Sequence, residues 1–148
     1  MDVARRSVLA GLLTLQACSP GKLVRQKITL HIASDGYDLV FKPDHLACPA
    51  NSDVTLFFRH AGEIIHDPHD WVLLKQGTEK AFLDAADKSS EGGIVPENSA
   101  FVIAHTPLCP MGKTVSVTFG APPPGVYPYV CSIPGHGESM HGTLKVAA

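Results

Sequence analysis

Three residues near the C-terminus have side chains and a spacing suited to a transition metal. Cys131, His136 and Met140 follow one another as Cys-x4-His-x3-Met, in a loop predicted to lie between two strands. A thiolate, an imidazole and a thioether together suit copper, which such a site must hold as both Cu(I) and Cu(II). The set needs a second imidazole from elsewhere in the chain. His69, which opens a predicted strand just before Trp71, is the best candidate.

Each of these residues also has an ordinary structural interpretation. Taken alone, Cys131 fits a buried strand cysteine, Met140 a core side chain and His136 a turn residue. The ordered loop pattern favours a metal site over three such coincidences together. His66 competes with the first histidine, because it lies two residues before Pro68.

The elements that must position these residues are mostly strands. Alternating apolar and polar residues predict strands at 28–32, 54–58 and 115–119. A helix is predicted at 78–88, with Thr78 as its capping residue. Five further segments have strand character: 37–42, 71–75, 101–105, 127–131 and 142–146. About eight short strands in one domain predict an all-β, two-sheet sandwich or barrel.

Composition supports one folded domain and excludes some classes of function. The 148 residues include 12 Lys+Arg and 14 Asp+Glu, for a formal net charge of −2, and 45% are hydrophobic. A near-neutral chain without a basic cluster is not expected to bind nucleic acid. The longest uncharged run, 7–21, is shorter than the roughly 20 residues that a membrane-spanning helix needs.

Residues 1–17 are predicted to be an export signal. Two arginines form a basic start, an apolar stretch follows, and Leu-Gln-Ala before Cys18 resembles the processing site of bacterial lipoproteins. We therefore expect lipid on Cys18, a tether at 18–27 and the folded domain at 28–148. The alternative is plain secretion, with Cys18 as a free thiol or half of a disulfide. The pattern does not decide between the Sec and twin-arginine routes.

The ordered motifs resemble the cupredoxins and, among them, the azurins. Cys-x4-His-x3-Met is the azurin loop spacing, and segments 103–106, 116–119 and 140–144 look like azurin segments in the same order. The resemblance covers roughly residues 28–147. It implies a Greek-key two-sheet sandwich or barrel with one short helical flap.

This resemblance implies a blue-copper electron-transfer protein with one type 1 copper per chain. His69, Cys131 and His136 would bind the ion as a trigonal set, with Met140 as a long axial ligand. The carbonyl of Pro68 would lie on the opposite axial side. The family's electron port is the C-terminal ligand histidine, which is His136 here.

The port is expected to lie within a docking patch. Ile64, Ile133 and Leu39 would supply apolar parts of that patch. Glu138 and Asp67 stand where the family tends to have apolar residues. Carboxylates at the port predict a basic redox partner, such as a c-type cytochrome or a copper or haem reductase.

Two positions depart from the family pattern. Pro68 replaces a glycine, which leaves the shape of that loop open. Asp70 replaces an asparagine that ties the two ligand loops together. An ionised carboxylate only accepts hydrogen bonds, so either Asp70 is protonated or the tie is rearranged. The family register also places Trp71 after the first ligand, which ranks His69 above His66.

The remaining cysteines and histidines are expected to be structural. Cys48 is expected to be buried without a disulfide, and Cys109 to lie on the copper-side loop after His105. The resemblance makes His60 and His105 packed or hydrogen-bonded residues rather than ligands. Three further histidines are expected at the surface or turned away from the metal: His31, His45 and His141.

The rival functions are copper delivery and catalysis. Delivery proteins favour Met-rich or exposed clusters, whereas this chain has only 3 Met. Four protein ligands leave no open position for a substrate, so an enzyme is not expected. We therefore predict a periplasmic electron carrier that meets a membrane only through lipid on Cys18. It is expected to have no small-molecule substrate.

Overall fold

Nine strands and one helix make up the part of the chain that the computed structural model describes, residues 24–62, 67–89, 95 and 99–148. The helix α1 is Glu79–Ala86, and it lies between β5 and β6 in the chain. The strands are β1 Gln26–Ser34, β2 Phe41–Lys42, β3 His45–Pro49, β4 Ser52–Arg59, β5 Val72–Leu74, β6 Val102–His105, β7 Thr114–Gly120, β8 Gly125–Val130 and β9 His141–Ala147.

The strands form two sheets, which confirms the predicted all-β architecture. One sheet has the order β2-β1-β4-β7 and the other β3-β9-β8-β5-β6. β1 pairs in parallel with β4, and β3 with β9, whereas the other pairs are antiparallel. In the second sheet Val72 lies opposite Val130. Since β5 and β8 are antiparallel, the residues just before β5 lie beside those just after β8. His69 and Cys131 therefore reach the same end of the sandwich.

The core lies between the inner faces of the two sheets. Val54, Leu56 and Phe58 alternate along β4 with more exposed residues and are completely buried. In the second sheet, the ring of Trp71, just before β5, packs 5.6 Å from that of Tyr129 on β8. Burying apolar side chains of this size stabilises the fold by about 1.5–3 kcal/mol each, and the two sheets so packed carry the loops of the site.

Gly142 allows β9 to pass close to its neighbours immediately after the predicted ligand loop. A Cβ atom at this position would lie 2.4 Å from the Tyr129 ring and 2.3 Å from the Asp44 carbonyl oxygen. Real side chains do not tolerate such distances, so only glycine fits. This close approach fixes the start of β9, directly after Met140.

Two strand predictions differ from the structure. The segment predicted as a strand at 37–42 is mostly a turn, because the Tyr37 N–H donates to the Asp35 carboxylate and the Val40 N–H to the Asp38 carbonyl. Only Phe41–Lys42 joins the sheet. β3 was not predicted, since its alternation is short and it ends in a proline; it pairs in parallel with β9.

The helix prediction is confirmed, and Thr78 is the N-cap residue as predicted, but its side chain makes no capping bond. Glu79–Ala86 lies within the predicted range, and Thr78 is at the capping position without a side-chain capping bond. Its hydroxyl donates instead to the Lys75 carbonyl at 2.8 Å. At the N-terminus, β1 begins at Gln26 and so includes the last two residues of the segment assigned to the tether. No helix in the described ranges is long and apolar enough to cross a membrane.

Candidate metal centre

His69 is held in place by a short loop that follows β6. Its N–H donates to the Cys109 carbonyl at 3.2 Å, and the Cys109 N–H donates back to the His69 carbonyl at 2.7 Å. Trp71 is tied to the same loop, because its N–H donates to the Thr106 hydroxyl at 3.0 Å. The Cys109 thiol is completely buried and donates to the Lys113 carbonyl at 3.2 Å. Cys109 is therefore a structural support for His69, on the loop where it was predicted.

The loop between β8 and β9 is closed by its own backbone hydrogen bonds. The Cys131 N–H donates to the Met140 carbonyl at 3.0 Å, and the Met140 N–H donates to the His136 carbonyl at 2.8 Å. The His136 N–H donates to the Ile133 carbonyl at 3.0 Å. Met140 is completely buried. These bonds bring the first and last predicted donors of the loop side by side.

The structure brings three of the predicted donors together. The Sγ atom of Cys131 lies 4.0 Å from Nδ1 of His69 and 3.9 Å from Nδ1 of His136. The donor atoms of all three lie within 4.8 Å of one another, and all three residues are buried. Nitrogen and sulfur donors bound at roughly 2.0 and 2.3 Å, with 120° between them, lie about 3.7 Å apart. The cluster therefore fits one trigonally bound ion.

Known proteins with this sequence pattern are blue copper proteins. No protein-family model matches the chain. It is 35% identical over 122 residues to Auracyanin-A of Chloroflexus aurantiacus, and this alignment covers 80% of the present chain and 74% of the relative. It is 36% identical over 98 residues to Azurin-1 of Alcaligenes xylosoxydans xylosoxydans, and this alignment covers 62% of the present chain and 76% of the azurin. The solved structure of auracyanin A, titled a "blue" copper protein, matches with a TM-score of 0.71 and 33% identity, over 81% and 98% of the two chains.

The chain is a cupredoxin. The predicted resemblance is confirmed, and the relatives extend it from azurins to auracyanins. The cofactor of this family is a single type 1 copper, and the cluster of His69, Cys131 and His136 provides a matching set of donors. Met140 is buried beside Cys131, as its predicted axial role requires. The assignment of the individual ligands stays a prediction.

Burial sets the protonation states of the three donors before metal binds. It lowers the pKa of His69 to about 4, with further lowering by the nearby His60 and His136. It also lowers the pKa of His136. Burial, reinforced by the charge of Asp70, raises the pKa of the Cys131 thiol far above its ordinary value. At neutral pH both imidazoles are thus ready to bind a metal, while the thiol still carries its proton.

We expect metal binding to release about one proton per ion between about pH 7 and 8, because both imidazoles are neutral there and only Cys131 must be deprotonated. Apparent affinity should then rise about tenfold per pH unit. At acidic pH the two histidines also become protonated, His69 at about pH 4, and the dependence should steepen. Calorimetry of Zn²⁺ binding in buffers of different ionisation enthalpy measures the proton count. Cys131→Ser should release none. Equal release by both proteins would contradict this origin of the proton.

Asp70 ties the two ligand segments together by accepting two hydrogen bonds. The Ser132 N–H donates to Oδ1 at 2.7 Å, and the Ser132 hydroxyl donates to Oδ2 at 2.5 Å. Both residues are buried. Burial raises the pKa of Asp70, and the two bonds from Ser132 counteract that rise. Because Ser132 supplies both donors, the tie needs no proton from Asp70. The choice between a protonated Asp70 and a rearranged tie stays a prediction.

His60 packs against the first predicted ligand. Its ring is completely buried and stacks on that of His69, with centroids 4.3 Å apart. The Gly62 N–H donates to Nδ1, so Nε2 carries the proton that is donated to the Asp67 carbonyl at 2.9 Å. His60 is packed and hydrogen-bonded, as predicted. His105 is exposed and donates from Nδ1 to the Thr106 carbonyl.

Of the two carboxylates predicted near the port, Asp67 lies close to the surface-facing edge of the His136 ring. Oδ2 of Asp67 lies 3.8 Å from Nε2 of His136. Glu138 is exposed two residues further along the loop, whereas Ile133 is half-buried against the core. Pro68 does not turn Asp67 away from the port. Two predicted residues, Ile64 and the competing His66, lie outside the described residues.

The predictions for the remaining cysteines and histidines are confirmed, whereas the docking role of Leu39 stays a prediction. Cys48 is buried and free, as is Cys109. Leu39 is half-buried. Sequence reasoning missed the support that Cys109 gives to His69, since the two residues are far apart in the chain. The histidines predicted at the surface are exposed: His31, His45 and His141.

Proposed function

We propose that this cupredoxin is an extracytoplasmic one-electron carrier and not an enzyme. The bound copper would supply a one-electron Cu(I)/Cu(II) couple. Buried ligands on loops fixed by hydrogen bonds would hold similar positions in both oxidation states. His69 is braced by Cys109, and Cys131 is joined to Met140 through the backbone. Such bracing limits movement at the centre on electron gain or loss.

One observation carries the proposal: His136 links the buried cluster to the surface. Its Nδ1 faces Cys131 Sγ at 3.9 Å, and its Nε2 lies on the other side of the ring, facing Asp67. The side chain is 10% exposed. A ligand ring with one buried and one surface-facing edge is a direct route for an electron to a docked partner.

A reversible colour change tests the function and separates it from copper delivery. The purified copper protein should show an intense blue band that disappears on reduction and returns on oxidation. Copper should stay bound through repeated cycles with a competing chelator present. A colourless protein, or one that yields its copper to the chelator within a cycle, would favour delivery and contradict the proposal.

We propose further that the partner is a basic redox protein, such as a cationic c-type cytochrome. Asp67 lies beside the port and Glu138 is exposed on the same loop as His136. Such carboxylates favour the approach of a positively charged surface. Steering by exposed charges is screened by salt, with a Debye length of about 10 Å at 0.1 M.

We expect the rate of electron transfer to cationic cytochrome c to fall about tenfold as salt is raised. The double variant Asp67→Asn, Glu138→Gln should flatten this dependence in stopped-flow measurements. Asp53→Asn is the matched control, because Asp53 lies at the other end of β4, about 23 Å along the strand from His60. A salt dependence that is the same in the double variant and the control would rule out these two carboxylates.

Export and lipid attachment belong to the same proposal. Cys18 and the signal sequence lie outside the described residues, so their support is the sequence pattern alone. We expect the wild-type protein to be recovered with membranes and Cys18→Ala in the soluble periplasmic fraction, because one acylated N-terminus adds a membrane anchor. Equal recovery of both proteins in the soluble fraction would show that Cys18 is not acylated.

A further inference from the structure

Helix α1 and its C-cap residue Asp87 contact the predicted ligand loop on both sides of His136. The Gly135 N–H donates to Oδ1 of Asp87 at 2.9 Å. On the other side, a Cβ atom at Gly137 would lie 2.2 Å from Cδ2 of Leu83, so Gly137 packs directly against this side chain. The residues before and after the port histidine are thus both held by the same helix.

The helix is itself fixed to the strand that leads into the metal cluster. Phe82 is buried with Val72, Leu74 and Val130 in a small core on the outer face of the second sheet. Val130 is the last residue of β8, immediately before Cys131. The contacts from α1 to the loop therefore connect two parts of the site: the strand that carries the thiolate and the segment that carries the port imidazole.

The bond from Gly135 differs from the bonds inside the loop. The N–H groups of His136 and Met140 donate to carbonyls within residues 133–136, so they close the loop on itself. The Gly135 N–H instead donates to the side chain of Asp87, the C-cap residue of α1. Gly135 also has a φ of +78°, a conformation that side chains other than glycine rarely adopt. Its carboxylate partner therefore holds a residue whose backbone conformation requires glycine.

We propose that Asp87 is a positioning residue for His136. Its carboxylate holds the Gly135 amide and so restricts movement of the imidazole relative to Cys131. The inference rests on the proposed function only where it concerns the port; the restriction of the loop itself is a property of the protein with or without metal. Helix α1 is then part of the metal centre's support and not only an insertion between two strands.

Two substitutions separate the hydrogen bond from the charge. Asp87→Asn keeps an oxygen acceptor and loses the charge, whereas Asp87→Ala loses both. Asp84→Ala is the matched control: Asp84 lies one turn earlier on α1 and pairs with Lys80 at 2.8 Å. It removes a carboxylate from the same helix and leaves the bond to Gly135 intact.

The first measurement is amide hydrogen exchange at Gly135 in the metal-free protein, followed by NMR. Asp87→Ala should speed exchange about tenfold, as loss of one hydrogen bond predicts. Asp87→Asn and Asp84→Ala should stay within about twofold of the wild type. Unchanged exchange in Asp87→Ala would overturn the proposal at its base, whatever the protein's partners are.

The second measurement is the rate at which the reduced copper protein loses its metal to a chelator. Asp87→Ala should lose copper several-fold faster than Asp84→Ala, with Asp87→Asn close to the control. Equal rates in all three variants, together with faster Gly135 exchange, would show that Asp87 holds the loop without positioning His136. Electron transfer to a partner enters neither assay, so failure of the proposed function would be distinguishable.

Discussion

Cys131→Ser is expected to abolish the intense blue absorption of the oxidised copper protein while the fold survives. The band requires charge transfer from a thiolate to Cu(II), and a serine hydroxyl cannot supply it. Cys131 lies just beyond the last residue of β8, and serine keeps the backbone hydrogen bond from this residue to the Met140 carbonyl. Retained colour would show that another residue binds the metal.

Cys48→Ser is the matched control for that experiment. Cys48 is also a buried free cysteine, but it lies on β3, which pairs with β9 at the edge of the second sheet. Burial raises the pKa of both thiols, so neither is a reactive surface group. Cys48→Ser should keep the blue band at full intensity, and circular dichroism should show the same sheet content in both variants.

Local sequence patterns predicted the part of the site that is close together in the chain. Cys131, His136 and Met140 fall within ten residues, and the loop that joins them is closed by its own backbone bonds. Their spacing therefore carries most of the geometry. The choice of His69 needed the resemblance to a family, because the antiparallel pairing of β5 and β8 brings it to Cys131 from a distant position.

Interactions between distant segments could not be predicted in the same way. The bonds from Cys109 to His69 and from Asp87 to Gly135 join segments with no shared periodic pattern. The missing side-chain capping bond at Thr78 has a similar cause, since its hydroxyl donates instead to the Lys75 carbonyl, which the preceding turn brings within reach. Propensity describes a residue with its neighbours, whereas these contacts depend on tertiary packing.

Asp70→Ala is expected to lower the free energy of unfolding of the metal-free protein by about 3 kcal/mol. The substitution leaves the N–H and hydroxyl of Ser132 without the partner they have in the core, where Ser132 is 3% exposed. Each buried polar group that loses its partner costs about 1–3 kcal/mol. Urea unfolding followed by tryptophan fluorescence measures the difference, because Trp71 is adjacent to the substituted residue.

Asp70→Asn provides the test of how the tie works. Its amide oxygen can accept the Ser132 N–H and its NH₂ group can donate to the hydroxyl, which both donates and accepts. We therefore expect a free energy of unfolding equal to or above that of the wild type, since a buried carboxyl is replaced by a neutral group. A double-mutant cycle of Asp70→Ala with Ser132→Ala should give a coupling of about 1–2 kcal/mol, carried by the hydroxyl bond. If Asp70→Asn were destabilised as much as Asp70→Ala, the carboxylate itself, and not a hydrogen-bond acceptor at this position, would hold the two ligand segments together.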